Sequence, residues 1–293
     1  MKFFSYRFTS IFLFFSRAIG AAERKFSNNF STIESSGVPI CFKDQGEGPP
    51  VFFIHGYTSN ALDWNIAINL LKDRFRLITI DCRGHGASGK PEDLTFYGRK
   101  MVADILEVLQ KLEIEKVCLV GYSMGAEIAL RFTVEHPEVV TGLVVGGSGW
   151  SGEKETKLYT EIGDSLKNHQ SFGPFIENNS DDLELLDSGN FDVKTADAML
   201  KGQNIEALAA VAGNMGEIIN LSEQDISGIR IPVLAISGDQ DDEKLNLEKM
   251  IGAVPEISYK LLPGKDHMEA FLDPEFYSLI EQFLISQYHS EAS

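Results

Sequence analysis

Five short runs rich in Val, Ile, Leu and Phe punctuate the chain, at residues 51–54, 77–80, 117–120, 143–145 and 233–236, with a weaker sixth at 259–262. The strong runs do not alternate apolar with polar residues, as a strand does when one face meets water. A continuous apolar run of that length marks a strand buried on both faces, the signature of a parallel sheet. Segments of helical period fall between and after them, at 62–71, 101–112, 126–135 and 274–287. In the second of these, Met101, Val102, Ile105, Leu106, Val108, Leu109 and Leu112 recur at spacings of three and four and form one apolar stripe. This alternation predicts an α/β fold with a doubly wound, mostly parallel sheet and right-handed crossovers. Upstream, residues 30–34 and 39–43 flank Ser35-Ser36-Gly37-Val38 and read as a β-hairpin, ending in the loop Asp44-Gln45-Gly46-Glu47-Gly48.

The rhythm breaks once, between Gly149 and Ile229. That stretch is mostly helical in pattern, for example at 154–168 and 205–218, and holds no convincing strand. Regular order resumes at Ile231-Pro232-Val233. An insertion inside an otherwise regular sheet reads as a helical cap over the strand ends. The expected organisation is a leader over residues 1–25, a core over 26–148 and 230–293, and a cap over 149–229.

The leader stands apart in charge. Residues 1–22 carry Lys2, Arg7 and Arg17 and no acid, whereas the whole chain has a net charge of -17 from 26 Lys+Arg against 43 Asp+Glu. Without those three positive charges the remainder stands at -20. A basic start, the apolar stretch Ile11-Phe12-Leu13-Phe14-Phe15 and small residues at Ala18 to Ala22 outline a secretory signal, which implies a secreted or periplasmic protein. Arg17 interrupts that outline. An acid-free leader bearing Arg and Ser also resembles an organelle transit peptide, and a misplaced start codon is the third reading; a cytoplasmic or organellar location goes with these. The apolar run is too short to span a bilayer.

Elsewhere the composition excludes several classes. With 43% hydrophobic and 24% charged residues the chain can bury a core, which argues against disorder, a fibre or a multi-span membrane protein. The acidic surface repels phosphate backbones, so no nucleic-acid partner is expected. Cys41, Cys82 and Cys118 are too few for a disulfide scaffold and show no metal-ligand spacing. No disulfide, metal or cofactor is assigned. The sequence does not display an oligomeric state.

The residues that carry chemistry begin at Gly121-Tyr122-Ser123-Met124-Gly125, which joins a buried strand to a helix. So sharp a turn strains its central residue, and the glycines give it room. The serine Oγ is lifted clear of the strand end, with a helix N-terminus behind it that favours developing negative charge. A serine needs a base to remove its proton. Of six histidines, His267 stands in Pro263-Gly264-Lys265-Asp266-His267, past the last strand and at the same sheet edge as Ser123. His55 and His85 lie in glycine turns, where packing or hydrogen bonding is the expected role; His136 terminates a helix, His169 is in the cap and His289 in the tail. The base needs a carboxylate, and Gly238-Asp239-Gln240-Asp241-Asp242, after the strand at 233–236, offers three. The order serine, acid, histidine then holds. A backbone N–H at the end of His55-Gly56-Tyr57, paired with that of Met124, would hold an oxyanion.

These motifs, together with Asp81-Cys82-Arg83-Gly84-His85-Gly86-Ala87-Ser88, resemble the α/β-hydrolase superfamily, in its capped serine-hydrolase branch of esterases, carbon–carbon bond hydrolases and cofactor-free haloperoxidase relatives. The resemblance runs from about Phe30 to Gln287, leaving out the cap in detail. It implies Ser123 as nucleophile, His267 as base, Asp241 rather than Asp239 or Asp242 as acid, and the Tyr57 and Met124 amides as oxyanion donors. It also implies a structural role for Arg83 and His85. Relatives with Asp at the elbow, the dehalogenases and epoxide hydrolases, are excluded by Ser123. The chain departs from many relatives in Gly125-Ala126, and Glu127 is expected as an early helix charge favoured by the dipole, away from the triad.

The expected activity is cleavage of a small carboxylic ester through an acyl-enzyme. Carbon–carbon hydrolysis or peracid chemistry is the alternative on the same triad, and a non-enzymatic small-molecule receptor is the alternative from another class. The expected partner is a neutral or apolar small molecule. Trp150, Tyr159, Phe172, Phe175, Phe191, Met199 and Met215 are candidates either to line its pocket or to form the cap's own core.

Overall fold

The computed structural model describes residues 30–179 and 192–290, with side chains to Tyr288. The proposed leader, Phe191 and the His289 side chain lie outside the described residues.

Eight strands form one sheet: β1 (Ser31–Ser35), β2 (Val38–Gln45), β3 (Pro50–Ile54), β4 (Arg76–Ile80), β5 (Val117–Tyr122), β6 (Val140–Gly146), β7 (Val233–Gly238) and β8 (Ile257–Leu262), in the spatial order β1-β2-β4-β3-β5-β6-β7-β8. The β1–β2 and β2–β4 pairs are antiparallel and all others parallel. The apolar runs are explained by their two faces. In β3, Phe52 and Ile54 enter one core and Val51 and Phe53 the other; in β5, Val117 and Leu119 face the first, Cys118 and Val120 the second. A polar residue at any of these positions would have to be buried, so alternation is absent.

Helices cover both faces. α1 (Asn65–Leu71, after a 3-10 turn at Ala61–Trp64) and the final helix lie on the second core, while α2 (Arg99–Lys111) and α3 (Met124–Glu135) lie on the first. Between β6 and β7 the chain runs through α4 (Glu153–His169), α5 (Gly173–Asn178), α6 (Val193–Ala198), α7 (Ile205–Gly213), α8 (Gly216–Ile219) and α9 (Glu223–Ser227), with no strand among the described residues. The helical period at 205–218 breaks into α7 and α8 at Asn214-Met215. After β7 come α10 (Lys244–Ile251), then β8, α11 (His267–Leu272) and α12 (Pro274–Ser290). α10 follows the acidic loop after β7 and has too short a period to stand out in the sequence.

The helical insertion is fastened to the core by buried polar contacts. Tyr57 OH donates to Leu208 O (2.7 Å) and Gln203 Nε2 to Thr58 O (2.8 Å), while Trp150 Nε1 donates to Leu221 O (2.9 Å) within the insertion itself. Arg131 on α3 donates to Ile218 O and Asn220 O, both 2.7 Å, at the C-terminal end of α8, where a cation meets unpaired carbonyls.

Candidate active site

The chain leaves β3 for β4 on one side and reaches β5 on the other, so strand order reverses at β3. Ligands of open α/β sheets bind outside the carboxyl ends of strands at such a reversal. Gly56-Tyr57 follows β3 there and Ser123 follows β5.

Ser123 holds φ 54 and ψ -124, a backbone state that L side chains rarely adopt. Close packing imposes it. A Cβ on Gly125 would lie 2.1 Å from Ile54 O, and one on Gly121 would lie 2.2 Å from Gly125 O, so neither position admits a side chain. Ser123 N–H donates to Gly146 O (2.8 Å), which pins the turn to β6. Ser123 itself is half-buried, and its Oγ makes no hydrogen bond among the described residues.

His267 begins α11, whose N-cap Asp266 accepts from the amides of Met268 and Glu269. Its Nδ1 lies 2.9 Å from Asp241 Oδ2. Asp241 is buried and also accepts from Glu243 N–H (3.0 Å) and Ser237 Oγ (3.3 Å). Burial pulls the His267 imidazole downward, but the bonded Asp241 charge, with Glu243 and Asp266 beyond it, outweighs burial and holds its pKa at about 9. The ring borders β6: a Cβ on Gly147 would lie 3.0 Å from His267 Cε1, one residue from the carbonyl that holds Ser123. Of the three candidate acids, Asp241 meets His267; Asp239 instead accepts from Gly264 N–H (2.7 Å) and Gln240 Nε2 (3.1 Å).

Gly56 abuts the turn at Ser123, since a Cβ there would lie 3.4 Å from Ser123 Cβ. Among the described residues neither the Tyr57 nor the Met124 backbone N–H meets an acceptor. Met124 opens α3, where first-turn amides have no intrahelical partner.

Other histidines are engaged in structure. Cys82 N–H donates to His55 Nε2 (2.9 Å), so that nitrogen carries no proton and His55 Nδ1–H donates to Gly56 O (2.8 Å). Burial lowers the His55 pKa and holds His85 at about 3, so both stay neutral. Arg83 is buried in a bidentate pair with Asp104, through Nε to Oδ2 at 2.7 Å and Nη2 to Oδ1. The Asp81 carboxylate accepts from Ala61 N–H (2.8 Å) and Ala87 N–H (2.7 Å), tying the loop after β3 to the turn after β4.

Two groups were not anticipated. Tyr122, the variable position of the elbow, donates its OH to His267 O with the rings 5.2 Å apart. Glu127 stands in the first turn of α3 as expected, but it is buried, accepting from Ser148 (3.1 Å), Ser151 (2.9 Å) and Tyr159 (2.8 Å). Its burial arises because α3 packs beneath the helical insertion, through Ser151 and Tyr159, which the sequence pattern of α3 does not reveal. Of the candidate pocket residues, Phe172 joins the insertion's own core, Met215 is buried in the main core, and Trp150 and Tyr159 pack partly buried against it. Phe175, like Tyr57, packs against the insertion's core, and Met199 is half-buried.

A family model described as alpha/beta hydrolase fold matches residues 49–172. The solved structure of a carboxylesterase from Nitrososphaera gargenis superposes with a TM-score of 0.71 at 22% identity, covering 89% of this chain and 99% of that one. The chain has the α/β-hydrolase fold.

Similar proteins differ in what they are named for. A bromoperoxidase from Bacillus anthracis superposes with a TM-score of 0.68 at 21% identity, over 87% of this chain and 99% of its own. A Bacillus subtilis protein provisionally named 2-succinyl-6-hydroxy-2,4-cyclohexadiene-1-carboxylate synthase is 26% identical over 269 residues, 86% of this chain and 97% of that protein. Among the described residues of the chain, no helix is long and apolar enough to cross a membrane.

Proposed function

We propose that this α/β-hydrolase is a serine hydrolase that cleaves a small, neutral or apolar carboxylic ester, or a related acyl bond, through Ser123, His267 and Asp241. The observation that carries the reading is the 2.9 Å contact between His267 Nδ1 and Asp241 Oδ2, at the sheet edge where Ser123 sits at positive φ. With Nδ1–H donated to Asp241, His267 Nε2 is free to accept a proton.

Ser123 Oγ attacks the carbonyl carbon as His267 Nε2 takes the hydroxyl proton; the hydrogen bond between them tightens when substrate is seated. The oxyanion is met by the Tyr57 and Met124 amides, which have no other acceptor among the described residues. Collapse of the tetrahedral intermediate expels the alkoxide, which receives the proton from His267. Water, deprotonated by the same nitrogen, then attacks the acyl-enzyme and releases the acid. The buried cations support a neutral substrate: Arg83 is consumed by Asp104, and Arg131 by the carbonyls of Ile218 and Asn220.

The test is hydrolysis of p-nitrophenyl esters from acetate to decanoate by the wild type and by Ser123→Ala. Turnover falling by about 10⁴–10⁶ in the variant, with fold retained, supports the acyl-enzyme. No turnover by folded wild type overturns the ester reading in favour of carbon–carbon or peracid chemistry, or a receptor.

A further inference from the structure

Two glutamates from different elements meet at one hydroxyl. Ser148 Oγ, just past β6, lies 3.1 Å from Glu127 Oε1 on α3 and 3.2 Å from Glu243 Oε2 in the loop that carries Asp241. Ser151 Oγ lies 2.9 Å from Glu127 Oε1 and Tyr159 OH, on α4, 2.8 Å from Glu127 Oε2. These are four oxygen–oxygen contacts, and the three hydroxyls bring three protons. Two ionised carboxylates would leave one contact without a hydrogen, an unscreened repulsion in a buried site.

The neighbours decide where the missing proton sits. Glu243 Oε2 also accepts from Asn246 Nδ2 (2.8 Å), an amide that can only donate. Glu127 is surrounded by hydroxyls, each able to accept as well as donate. We infer that Glu127 is a carboxylic acid and Glu243 a carboxylate at neutral pH, sharing one proton across Ser148, and that the pair positions the triad. It joins the nucleophile helix, the helical insertion and the acid loop, and keeps a single negative charge facing His267. The role toward His267 rests on the hydrolase reading above; the proton does not.

The surrounding charges agree. Glu127 faces Glu243 and Tyr159; Glu243 faces His267, Asp241 and Glu155. Tyr159 faces both glutamates and Tyr57. Burial first, and then the Glu243 charge, push the Glu127 carboxyl to about 8. The Glu243 charge also favours the His267 imidazolium.

Infrared spectroscopy of the full chain tests the proton. A carboxylic acid C=O band is expected at pH 7, bleaching as pH rises through about 8 and missing in Glu127→Gln. Tyr159→Phe removes a donor to the ionised form, so it should move the bleaching to higher pH. This arm serves should Glu127→Gln not fold. Imidazole NMR tests positioning: His267 in Glu243→Gln should titrate about one pH unit lower than wild type, and in Glu127→Gln close to wild type. A merely structural role would shift both variants alike. Absence of the band at pH 7, a bleaching unmoved by Tyr159→Phe, or an unmoved His267 titration in Glu243→Gln overturns the inference. None of these measurements needs turnover, so failure of the hydrolase reading is distinguished from failure of the shared proton.

Discussion

Tyr122, immediately before the candidate nucleophile, donates its hydroxyl to the backbone carbonyl of His267, 145 residues away in the chain. The two partners of the proposed proton transfer are therefore tied through their backbones as well as by the sheet. Tyr122→Phe keeps the ring contacts with Phe271 and Phe276 and removes the hydroxyl that bonds the His267 carbonyl. The expected stability loss is about 1–2 kcal/mol. We expect kcat to fall about tenfold with KM little changed, since small misplacements act on the transition state first. Steady-state kinetics and denaturant unfolding check both halves.

In the proposed mechanism Asp241 acts through His267. Asp241→Asn keeps the size of the side chain but offers no charge to stabilise the imidazolium and can hold the ring in the wrong tautomer. A fall of about 10⁴ in kcat at neutral pH is expected, by analogy with the loss of such an acid in other triads. Asp239→Asn, whose carboxylate caps Gly264 instead, should stay within a few-fold of wild type. Parallel kinetics on the two variants would decide between the acids of this loop.

His267 must be neutral to accept the Ser123 proton, so kcat/KM should climb with pH until His267 has titrated, at about 9. Stability runs the other way. The imidazole binds its proton more tightly folded than unfolded, so its contribution is complete below pH 6.5 and is lost as pH rises to about 9. Glu127 adds to that slope: its folded pKa lies above the unfolded 4.5, so stability falls between pH 4.5 and about 8. Thermal unfolding followed across this range should show Tm declining toward alkaline pH, with Glu127→Gln flattening the lower part and His267→Gln the upper.

Arg83 and Asp104 have side chains 0% and 1% exposed. Asp104→Ala strands a buried guanidinium and should cost about 3–5 kcal/mol. Replacing both by apolar residues of similar volume should recover most of that, which urea unfolding of the single and double variants would measure.

Gly125→Ala should disturb the elbow more than its size suggests. The added Cβ would lie 2.1 Å from Ile54 O, against backbone that cannot rotate away. Either β3 and α3 separate or the chain fails to fold; a variant with wild-type Tm and wild-type ester turnover would contradict the packing account of this turn.

Local pattern was enough for the sheet, because a strand buried on both faces is apolar at nearly every position, as at 51–54 and 117–120, and the runs alternate with segments of helical period. It was enough also for the sharp turn at Ser123, since glycine at 121 and 125 answers a steric need within a few residues. The same holds for the insertion between β6 and β7, which breaks the strand rhythm. Contacts between distant residues were decided only in three dimensions. Three aspartates follow β7 with equal local claims, and the direction each carboxylate takes in the folded loop assigns Asp241 to His267. Tyr122 gives no sign in the sequence that its hydroxyl will reach residue 267. Glu127 reads only as an early helix charge because helical period records which face of α3 meets the sheet, not that the other face lies beneath the insertion. Its ionisation depends on Glu243 and Tyr159, which the chain brings to it only on folding, and that is why the proton it holds is a property of the tertiary structure alone.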